Sequence, residues 1–386
     1  MGSISQVGEL VNRRGCHLSQ SVIGVAQNLC GEVRLMVERV VPIPSARRPT
    51  LIDIARECGL SRATVARALS GKGYVDLDRR RLIQETADRL GYRTSTIARA
   101  LRTQRTSSVG VLIADITNPI FPQIVKGIDE IVSSDGHTIF LSNTDEDPQK
   151  QVAIVRSLLD RQVDGIVMVS QTLADETLKL LEHGPPCVFV NRRPYEGVDY
   201  VGPDNEQGIE LLLTHLRGLG HQRIAYVSGP SHSSTSRERL AHFRVSMAAC
   251  GLEVDERLVF AGNYYKESGA KAAEAFMAVT PRPTAILAAN DFVALGIVGY
   301  LHSIGLNTPA DISVTGFDDM FDSSLMETEA LKVEGLTTVN QPKRHLGRAA
   351  GKLLLERLGA PDAPGRKVIL PTELRIRHTT GPVRKG

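Results

Sequence analysis

The chain of 386 residues is longer than one ordinary domain, and we expect two or three domains. Hydrophobic residues make up 42% of it, and no apolar run approaches the roughly 18 residues that cross a bilayer, so a soluble globular protein with no membrane partner is expected. The formal charge of +3 is unevenly distributed: residues 47–106 hold 14 Lys and Arg against 6 Asp and Glu, whereas residues 107–386 hold 28 against 34. A basic block ahead of a mildly acidic body predicts that one end of the chain binds a polyanion.

The five cysteines are scattered and show neither a CxxC motif nor a Cys/His pairing with the spacing of metal ligands: Cys16, Cys30, Cys58, Cys187 and Cys250. This spacing predicts neither a disulfide framework nor a zinc site, and we expect no metal and no cofactor. Residues 1–46 lack the charged, apolar and small-residue regions of a signal peptide, which favours a cytoplasmic protein. We expect these 46 residues to be a disordered extension, or the true start of the protein to lie further along the chain.

Residues 50–71 predict two short helices joined by a turn. Thr50 and Asp53 match a capping box at the start of the first helix, and Gly59 suits the left-handed residue that ends it. Ser61 then starts the second helix. Two helices joined by a turn of about four residues form a helix-turn-helix, whose second helix enters the DNA major groove.

The second helix of this unit is predicted to be amphipathic. Its buried face would be formed by Val65, Ala68 and Leu69, and its exposed face by Arg62, Ala63, Ala66 and Arg67. Arginine pairs bidentately with guanine, so the two exposed arginines suit direct reading of bases. A third helix is predicted after Asp76, with an inner face formed by Leu82, Ile83, Ala87 and Leu90.

The segment TLIDIARECGLSRATVARALSG resembles the N-terminal headpiece of the lac repressor (LacI/GalR) family of bacterial transcription regulators. The resemblance implies an all-α headpiece over residues 47–92 and a hinge over residues 93–106. The segment that resembles the hinge of this family is YRTSTIARALRTQR, residues 92–105. So short a hinge helix is marginal in water and should form mainly on DNA. The headpiece residues that we expect to contact DNA are Thr50, Ser61, Arg62, Ala63, Thr64, Ala66, Arg67 and Tyr74.

The hinge carries its own expected DNA contacts. Ser95 can cap the helix, and the family resemblance implies that Leu101, flanked by Ala98 and Arg102, wedges between base steps in the minor groove. Thr94-Ser95 stands where family members usually carry Pro-Asn, so the minor-groove contact of that asparagine does not carry over directly, although Ser95 keeps a hydroxyl.

From residue 107 the pattern alternates apolar strand candidates with helical segments that begin near Pro119, Pro148 and Leu173. The strand candidates come in two sets: VGVLIA, HTIFLS, GIVMVS and CVFVN, then RIAYVSG, RLVFAG, TAILAAN and ISVTGF. Such a pattern predicts an α/β core over residues 107–386 with two doubly wound parallel sheets, of the periplasmic-binding-protein-like type I arrangement. The expected first lobe holds residues 107–205 plus 341–361, and the second holds residues 206–335 plus 366–380.

Polar side chains follow the predicted strands, at positions that include Asp115, Asn143–Asp145, Ser170, Gln171, Asn191–Arg193, Asn290, Asp291, Asp318 and Asp319. Ligands of doubly wound sheets bind outside the carboxyl ends of the strands. Carboxylates, amides and guanidinium groups there suit a small polyhydroxylated or carboxylated metabolite. Because turns also favour Asp and Asn, a purely structural role remains the alternative for part of this set.

The family resemblance adds residues to this expected pocket through the segments DITNPIF, RERLAHF, LAANDFVALG and VTGFDD, and LTTVNQP and ILPTELRIRHTT extend it almost to the C-terminus. The expected effector-binding residues are Asp115, Phe121, Arg192, Thr235, Arg239, Asn290, Asp291, Phe317 and Asp318. We place Arg239 and Asp318 on opposite walls of the cleft. Alternatively, Arg239 pairs with Glu206 or Glu238 on the surface and Asp318 caps a turn.

Headpiece and core together indicate a ligand-responsive, sequence-specific DNA-binding transcriptional regulator, most simply a repressor of sugar or related carbon-metabolite genes. Its expected partners are a palindromic double-stranded DNA operator, a small-molecule effector such as a sugar, sugar acid or sugar phosphate, and a second copy of the chain. A homodimer is expected because a helix-turn-helix that reads two half-sites needs a two-fold axis. Whether the effector weakens or strengthens DNA binding is left open.

Two other classes of protein share parts of this pattern. An enzyme with a doubly wound fold is disfavoured because the sequence holds no GxGxxG after its first core strand and no GxxxxGK[ST], GxSxG or HExxH, so we expect no catalytic residues. A secreted or periplasmic solute-binding protein with the same core would need a signal peptide and would have no use for a basic headpiece.

Overall fold

The computed structural model describes residues 23–27, 33–37, 49–71, 73–92, 105–320 and 335–384. The chain divides into two compact units, Met1–Ser95 and Thr96–Gly386. Within the described part of the chain, no helix is both long enough and apolar enough to cross a membrane. The hinge residues Ser95, Ala98, Leu101 and Arg102 lie outside the described residues.

A short hairpin lies in the first unit ahead of the helices. Strands β1 (Ile23–Gln27) and β2 (Val33–Val37) pair antiparallel, with Ile23 opposite Val37. Both strands are rich in apolar and β-branched residues, which favour strands. The expectation for residues 1–46 as a whole stays a prediction, since these two strands are the part of the extension that the structure describes.

Three helices follow among the described residues of the first unit: α1 (Leu51–Cys58), α2 (Arg62–Ser70) and α3 (Leu77–Leu90). The predicted capping box is present, since Asp53 accepts hydrogen bonds from both the backbone N–H and the hydroxyl of Thr50. Gly59 ends α1 with φ of 65°, and the Ser61 hydroxyl accepts from the Thr64 N–H at 3.2 Å to start α2. The helix-turn-helix predicted from the sequence is confirmed.

The headpiece core is small and is built around three fully buried residues, Ile54, Val65 and Ile83, one from each helix. The inner face of α3 differs from the prediction at Leu82, which is 47% exposed. The buried stripe runs through Ile83, Thr86 and Ala87, so Leu82 lies about 100° away from it around the helix.

The second unit alternates strands and helices from residue 105 onward. Its first elements are β3 (Ser108–Ile113), α4 (Ile120–Ser134), β4 (Thr138–Asn143), α5 (Pro148–Asp160), β5 (Gly165–Val169), α6 (Asp175–Glu182), β6 (Cys187–Val190) and β7 (Asp199–Pro203).

The next elements follow the same pattern and then return to the first sheet. They are α7 (Asn205–Gly218), β8 (Ile224–Ser228), α8 (Ser234–Ala249), a 3₁₀ turn (Glu256–Leu258), β9 (Val259–Ala261), α9 (Lys266–Met277), β10 (Ala285–Ala288), α10 (Asp291–Ser303), β11 (Ser313–Thr315), β12 (Thr338–Asn340), α11 (Lys343–Gly359), β13 (Lys367–Leu370) and β14 (Glu373–Arg375).

Two parallel sheets define two lobes. Lobe 1 has the strand order β13-β7-β6-β5-β3-β4, and lobe 2 has the order β11-β10-β8-β9, supplemented by the antiparallel pair β12-β14. Each sheet has a buried apolar cluster on both of its faces. All eight strand segments predicted from the sequence are confirmed, and so is the α/β class.

Among the described elements, the chain passes between the lobes three times: after β7, after β12 and after β13. The last passage corrects one expected boundary. Residues 366–380 were assigned to lobe 2, but Lys367–Leu370 forms a parallel strand beside β7, with Lys367 opposite Tyr200. This segment therefore belongs to lobe 1, and only β14 and the residues after it return to lobe 2.

Glycines allow two helix pairs to approach closely, one in each lobe. In lobe 1, α4 packs against α11, and a Cβ on Gly347 would overlap the carbonyl oxygen of Ile124. In lobe 2, α9 packs against α10, and a Cβ on Gly296 would overlap the carbonyl oxygen of Lys266. Backbones this close leave no room for any side chain at these positions.

Candidate functional site

A cleft lies between the lobes, at the carboxyl ends of both parallel sheets. Seven of the nine residues expected in the effector pocket line it: Asp115, Phe121, Arg192, Thr235, Arg239, Asn290 and Asp318. The other two, Asp291 and Phe317, are almost fully buried behind the wall of lobe 2 and do not line the cleft. The strand-end rule, that ligands bind outside the carboxyl ends of parallel strands, therefore located the cleft. It did not distinguish residues that line the cleft from buried residues that support its wall.

Arg239 is held inside lobe 2 by three partners. Its Nε donates to Asn205 Oδ1 at 2.9 Å, its Nη1 donates to the Ala289 carbonyl oxygen at 2.7 Å, and its Nη2 lies 3.4 Å from Asp318 Oδ1. The side chain is only 3% exposed. Arg239 and Asp318 thus form an ion pair on one wall, and the expectation that they face each other across the cleft is wrong.

The two surface partners considered for Arg239 bind elsewhere. Glu238 forms an ion pair with Arg193 at 2.7 Å and accepts from Asn205 Nδ2 at 2.9 Å, while Glu206 lies 3.9 Å from His242. Arg239 belongs to helix α8, and Asp318 follows strand β11 of the same lobe. Both residues line the cleft.

Asp318 is fixed from several sides. Its φ is 109°, a value that side-chain-bearing residues adopt rarely and at a cost in strain. Its Oδ1 also accepts from Gln341 Nε2, and its carbonyl oxygen accepts from Lys343 Nζ at 2.8 Å. Burial raises the pKa of Asp318, and the Arg239 guanidinium opposes that rise.

Asp291 supports the wall without reaching the cleft. Its Oδ2 accepts from the Met320 N–H at 2.7 Å, and its Oδ1 accepts from the Thr338 hydroxyl. Burial, and then the neighbouring carboxylate of Asp318, raise the pKa of Asp291 to about 8. The carboxyl therefore ties β12 and the chain after β11 to the first turn of α10.

Arg192 approaches the cleft from lobe 1. Its Nη1 lies 3.1 Å from Glu146 Oε1 and donates to Thr172 Oγ1 at 3.3 Å. Its guanidinium carbon lies 5.3 Å from the centroid of the Tyr264 ring, which belongs to lobe 2. This cation–π contact joins the two lobes across the cleft.

Tyr264 has a φ of 70°, which is rare for a bulky residue. Its hydroxyl lies 3.2 Å from Ser233 Oγ, its carbonyl oxygen accepts from Asn290 Nδ2 at 3.1 Å, and its ring lies where a Cβ on Gly229 would be. These contacts hold the ring over the cleft from the side of lobe 2.

Several residues that line the cleft were missed from the expected set: Asn118, Glu146, Asn263, Tyr264, Tyr265, Phe292 and Gln341. The strand-end rule, applied to β9, would have indicated Asn263 and Tyr264, which follow the predicted strand RLVFAG. Ser170 and Asn191 were noted as strand-end residues and also line the cleft.

The headpiece presents the expected surface on α2. Ser61, Arg62, Ala63 and Arg67 are exposed, Thr64 and Ala66 are half-buried, and Val65 and Ala68 face the core. Arg67 Nε donates to the Ala63 carbonyl oxygen at 3.4 Å. Tyr74, in the loop after α2, is 91% exposed.

No cluster of three His, Cys, Asp or Glu side chains suitable for a metal ion occurs in the part of the chain that the structure describes. Polar amides, hydroxyls and aromatic rings dominate the cleft instead. These groups bind and orient a ligand by hydrogen bonds and stacking.

Comparison with known proteins gives two matches that together span the headpiece and the core. Residues 50–95 match bacterial regulatory proteins of the lacI family, and residues 106–378 match periplasmic binding proteins and the sugar binding domain of the LacI family. This chain belongs to the LacI family. The resemblance seen in the sequence is confirmed, and the two-lobed core has the fold of the LacI-family sugar binding domain.

LacI-family relatives match along almost their entire lengths. The HTH-type transcriptional repressor PurR of Photobacterium profundum is 32% identical over 333 residues, covering 86% of this chain and 98% of the relative. Catabolite control protein A of Priestia megaterium is 31% identical over 339 residues, covering 86% and 99%. The lac repressor dimer bound to operator and the anti-inducer ONPF superposes with a TM-score of 0.76 at 27% identity, covering 87% and 100%.

The LacI-family membership decides among the three functional classes. The protein is a DNA-binding transcriptional regulator with an effector-binding core, and the Photobacterium profundum relative is a transcriptional repressor. A secreted solute-binding protein is not favoured, because the headpiece match is specific to the regulators.

Proposed function

We propose that this protein is a cytoplasmic, dimeric repressor that binds a palindromic operator and is controlled by a small polyhydroxylated effector in the interlobe cleft. Base reading is assigned to α2, minor-groove contact to the hinge residues, and effector binding to the side chains that line the cleft. The cleft carries this proposal, since it gathers side chains from both lobes at the carboxyl ends of both sheets.

On the DNA side, the exposed residues of α2 support the proposal. Arg62 and Arg67 lie on the solvent face of a helix whose opposite face is fixed by Val65 in the headpiece core. A second helix in this arrangement inserts its exposed N-terminal half into the major groove. The solved lac repressor relative is a dimer on operator DNA, which supports a two-fold, half-site arrangement for this chain too.

On the effector side, the polar lining of the cleft supports a hydroxyl-rich ligand. Amides and hydroxyls from both lobes can each fix one hydroxyl group, and the rings of Phe121, Tyr264 and Phe292 can pack against the apolar faces of a sugar. The transcriptional regulator CelR, solved with cellobiose, superposes with a TM-score of 0.63 at 28% identity, covering 86% of this chain and 100% of CelR.

The two lobes supply the two states that such control requires. Residues of both lobes line one cleft, so a ligand that contacts both changes the free energy of the closed arrangement relative to the open one. In the proposed mechanism, this angle between the lobes sets the spacing of the two hinges in the dimer, and hence operator affinity. The effector then acts only through its differential affinity for the two arrangements.

The proposal is tested with the full chain. An operator is first selected from random double-stranded DNA, and its binding is then followed by fluorescence anisotropy while sugars and sugar derivatives are added. We expect a palindromic site, two protomers per site in sedimentation, and at least one compound that changes operator affinity tenfold or more. A monomer on the selected site, or operator affinity unaffected by any compound that binds the core, would contradict it.

A further inference from the structure

The chain enters lobe 1 through Thr106 and Ser107, directly ahead of β3, and one carboxylate holds both residues. Asp164 Oδ1 accepts from the Thr106 N–H at 2.8 Å, and Asp164 Oδ2 accepts from the Ser107 N–H at 2.8 Å. The Thr106 hydroxyl also donates to Asp164 Oδ1 at 3.2 Å and to the Gln162 carbonyl oxygen at 2.9 Å. Two successive backbone amides are therefore fixed at the point where the expected hinge, residues 93–106, meets the core.

The backbone at this junction is shaped for an anion. Ser107 has a φ of 52°, in the left-handed region that residues with a side chain seldom adopt. A left-handed residue lets successive N–H groups converge on one anion, an arrangement called a nest. Hydrogen bonds to an ionised carboxylate are about twice as strong as those between neutral groups, and the Asp164 side chain is only 7% exposed. Asp164 thus fills the nest and fixes the direction in which the chain leaves the core.

The same junction joins the amino ends of three neighbouring strands of lobe 1. Asp164 directly precedes β5 and His137 directly precedes β4, and these two strands flank β3. His137 Nε2 lies 3.5 Å from Asp164 Oδ2. The Asp164 N–H donates to the Ser108 carbonyl oxygen at 2.8 Å, and the Thr138 N–H donates to the Ser107 carbonyl oxygen at 2.9 Å. A movement of the lobe 1 sheet therefore moves the junction with it.

We propose that Asp164 is the positioning residue that couples the orientation of lobe 1 to the hinge, by holding the Thr106 and Ser107 amides in its carboxylate. A short helix nucleates at a high cost in free energy, so a hinge that folds on DNA depends on where the core places its end. Asp164 acts through this backbone and needs no contact with DNA. The inference rests on the proposed function, because it concerns the contact of the hinge with the operator.

The first test measures binding of the full chain to its selected operator and to a random duplex by fluorescence anisotropy. Asp164→Asn keeps the size of the side chain but replaces one acceptor oxygen by an NH₂ group. We expect operator binding to weaken about fivefold or more. Asp160→Asn, at the exposed last residue of α5, is the control with the same change of charge. Equal operator affinity in the two variants overturns the inference.

Charge and folding predict different results from positioning. Removal of a negative charge strengthens the binding of a polyanion, so charge alone predicts tighter operator binding by Asp164→Asn. A merely structural role would lower the melting temperature and leave the DNA binding of the folded dimer unchanged. At a temperature at which circular dichroism and sedimentation show a folded dimer, we expect a smaller salt dependence of operator affinity, because a misplaced hinge makes fewer phosphate contacts. An unchanged salt dependence overturns the inference.

A measurement on the wild-type chain tests the junction even where the variant does not fold. Hydrogen exchange should show the Thr106 and Ser107 amides protected about tenfold or more without DNA, since the carboxylate that holds them belongs to the core. Exchange of both amides at the rate of an unstructured peptide overturns the inference. A wild type that selects no palindromic operator contradicts the proposed function, whereas an operator that wild type and Asp164→Asn bind equally well contradicts only this inference.

Discussion

The guanidinium carbon of Arg239 lies 3.5 Å from the centroid of the Phe317 ring, in the wall of lobe 2 behind the cleft. Phe317 is fully buried, and so this contact is made where water does not weaken it. The ring therefore supports the guanidinium from below while Asn205, Ala289 and Asp318 hold its nitrogens. Phe317 contributes to the cleft by positioning Arg239, although it does not line the cleft itself.

This contact predicts an energetic coupling between Arg239 and Phe317. In a double-mutant cycle with Arg239→Met and Phe317→Leu, we expect a coupling free energy of about 0.5–2 kcal/mol, because each single change removes the same cation–π interaction. Unfolding by urea measures it. As a control, Phe189→Leu alters a buried ring in the core of lobe 1, and its effect should add to that of Arg239→Met without coupling.

Two glycines of α10 should respond oppositely to the same substitution. Gly296→Ala should lower the free energy of unfolding of lobe 2 by about 1–3 kcal/mol or more, the cost of overpacking a core. The reason is that the new Cβ would overlap the Lys266 carbonyl oxygen. Gly299→Ala, three residues later, meets open space and should stabilise the helix by about 0.5–1 kcal/mol. Denaturant unfolding of both variants decides the point, and equal effects would refute the close helix contact.

The buried carboxyl of Asp291 predicts a pH dependence of stability. Its pKa is raised to about 8 by burial and by Asp318, whereas an unfolded aspartate titrates near a pKa of about 3.9, so the folded chain binds this proton more tightly. The free energy of unfolding should therefore decrease as the pH rises from about 4 to about 8. Asp291→Asn cannot ionise and should flatten this decrease.

The measurement for Asp291 is urea unfolding at several pH values between 4.5 and 8.5. Asp362→Asn, at an exposed position, is the matched control and should follow the wild-type curve. If Asp291→Asn shows the same dependence on pH as the wild type, the carboxyl is not the group responsible.

The exposed position of Arg67 on α2 predicts a base-specific contact. Arg67→Ala should lose about 1–3 kcal/mol of operator binding and relax the preference at one base pair, as expected for a guanidinium that is bidentate to guanine. Arg102→Ala in the hinge should instead weaken all sequences alike and reduce the salt dependence. Selection of binding sites by each variant measures both effects, and an unchanged base preference in Arg67→Ala would contradict the assignment.

Sequence periodicity predicted most of the sheets and the position of the cleft, but local geometry decided the details. Asn290 and Asp291 are adjacent after β10, yet only Asn290 lines the cleft, because Asp291 is the first residue of α10 and turns toward Thr338. No residue pattern distinguishes these two directions. Likewise, Glu146 and Tyr264 reach the cleft from turns with left-handed φ values of 55° and 70°, which hydrophobic patterns do not encode.

Contacts between residues that lie far apart in the chain could not be predicted from the sequence either. Arg239 and Asp318 are 79 residues apart and come from different types of element, so only the fold shows that they pair on one wall. Strand β13 was misassigned for the same reason, since its short apolar segment could complete either sheet until its pairing with β7 was known. Local signals such as the Thr50 and Asp53 capping box, by contrast, were predicted fully.

The three passages of the chain between the lobes have a consequence for synthesis on the ribosome. The lobe 1 sheet is completed only by Lys367–Leu370, after all of the parallel strands of lobe 2 have been made. At about 5–20 residues per second, the nascent chain exposes the unpaired edge of β7 for on the order of ten seconds. An open strand edge invites pairing with other chains, so newly made protein should depend on chaperones during this interval, and chains truncated ahead of β13 should aggregate.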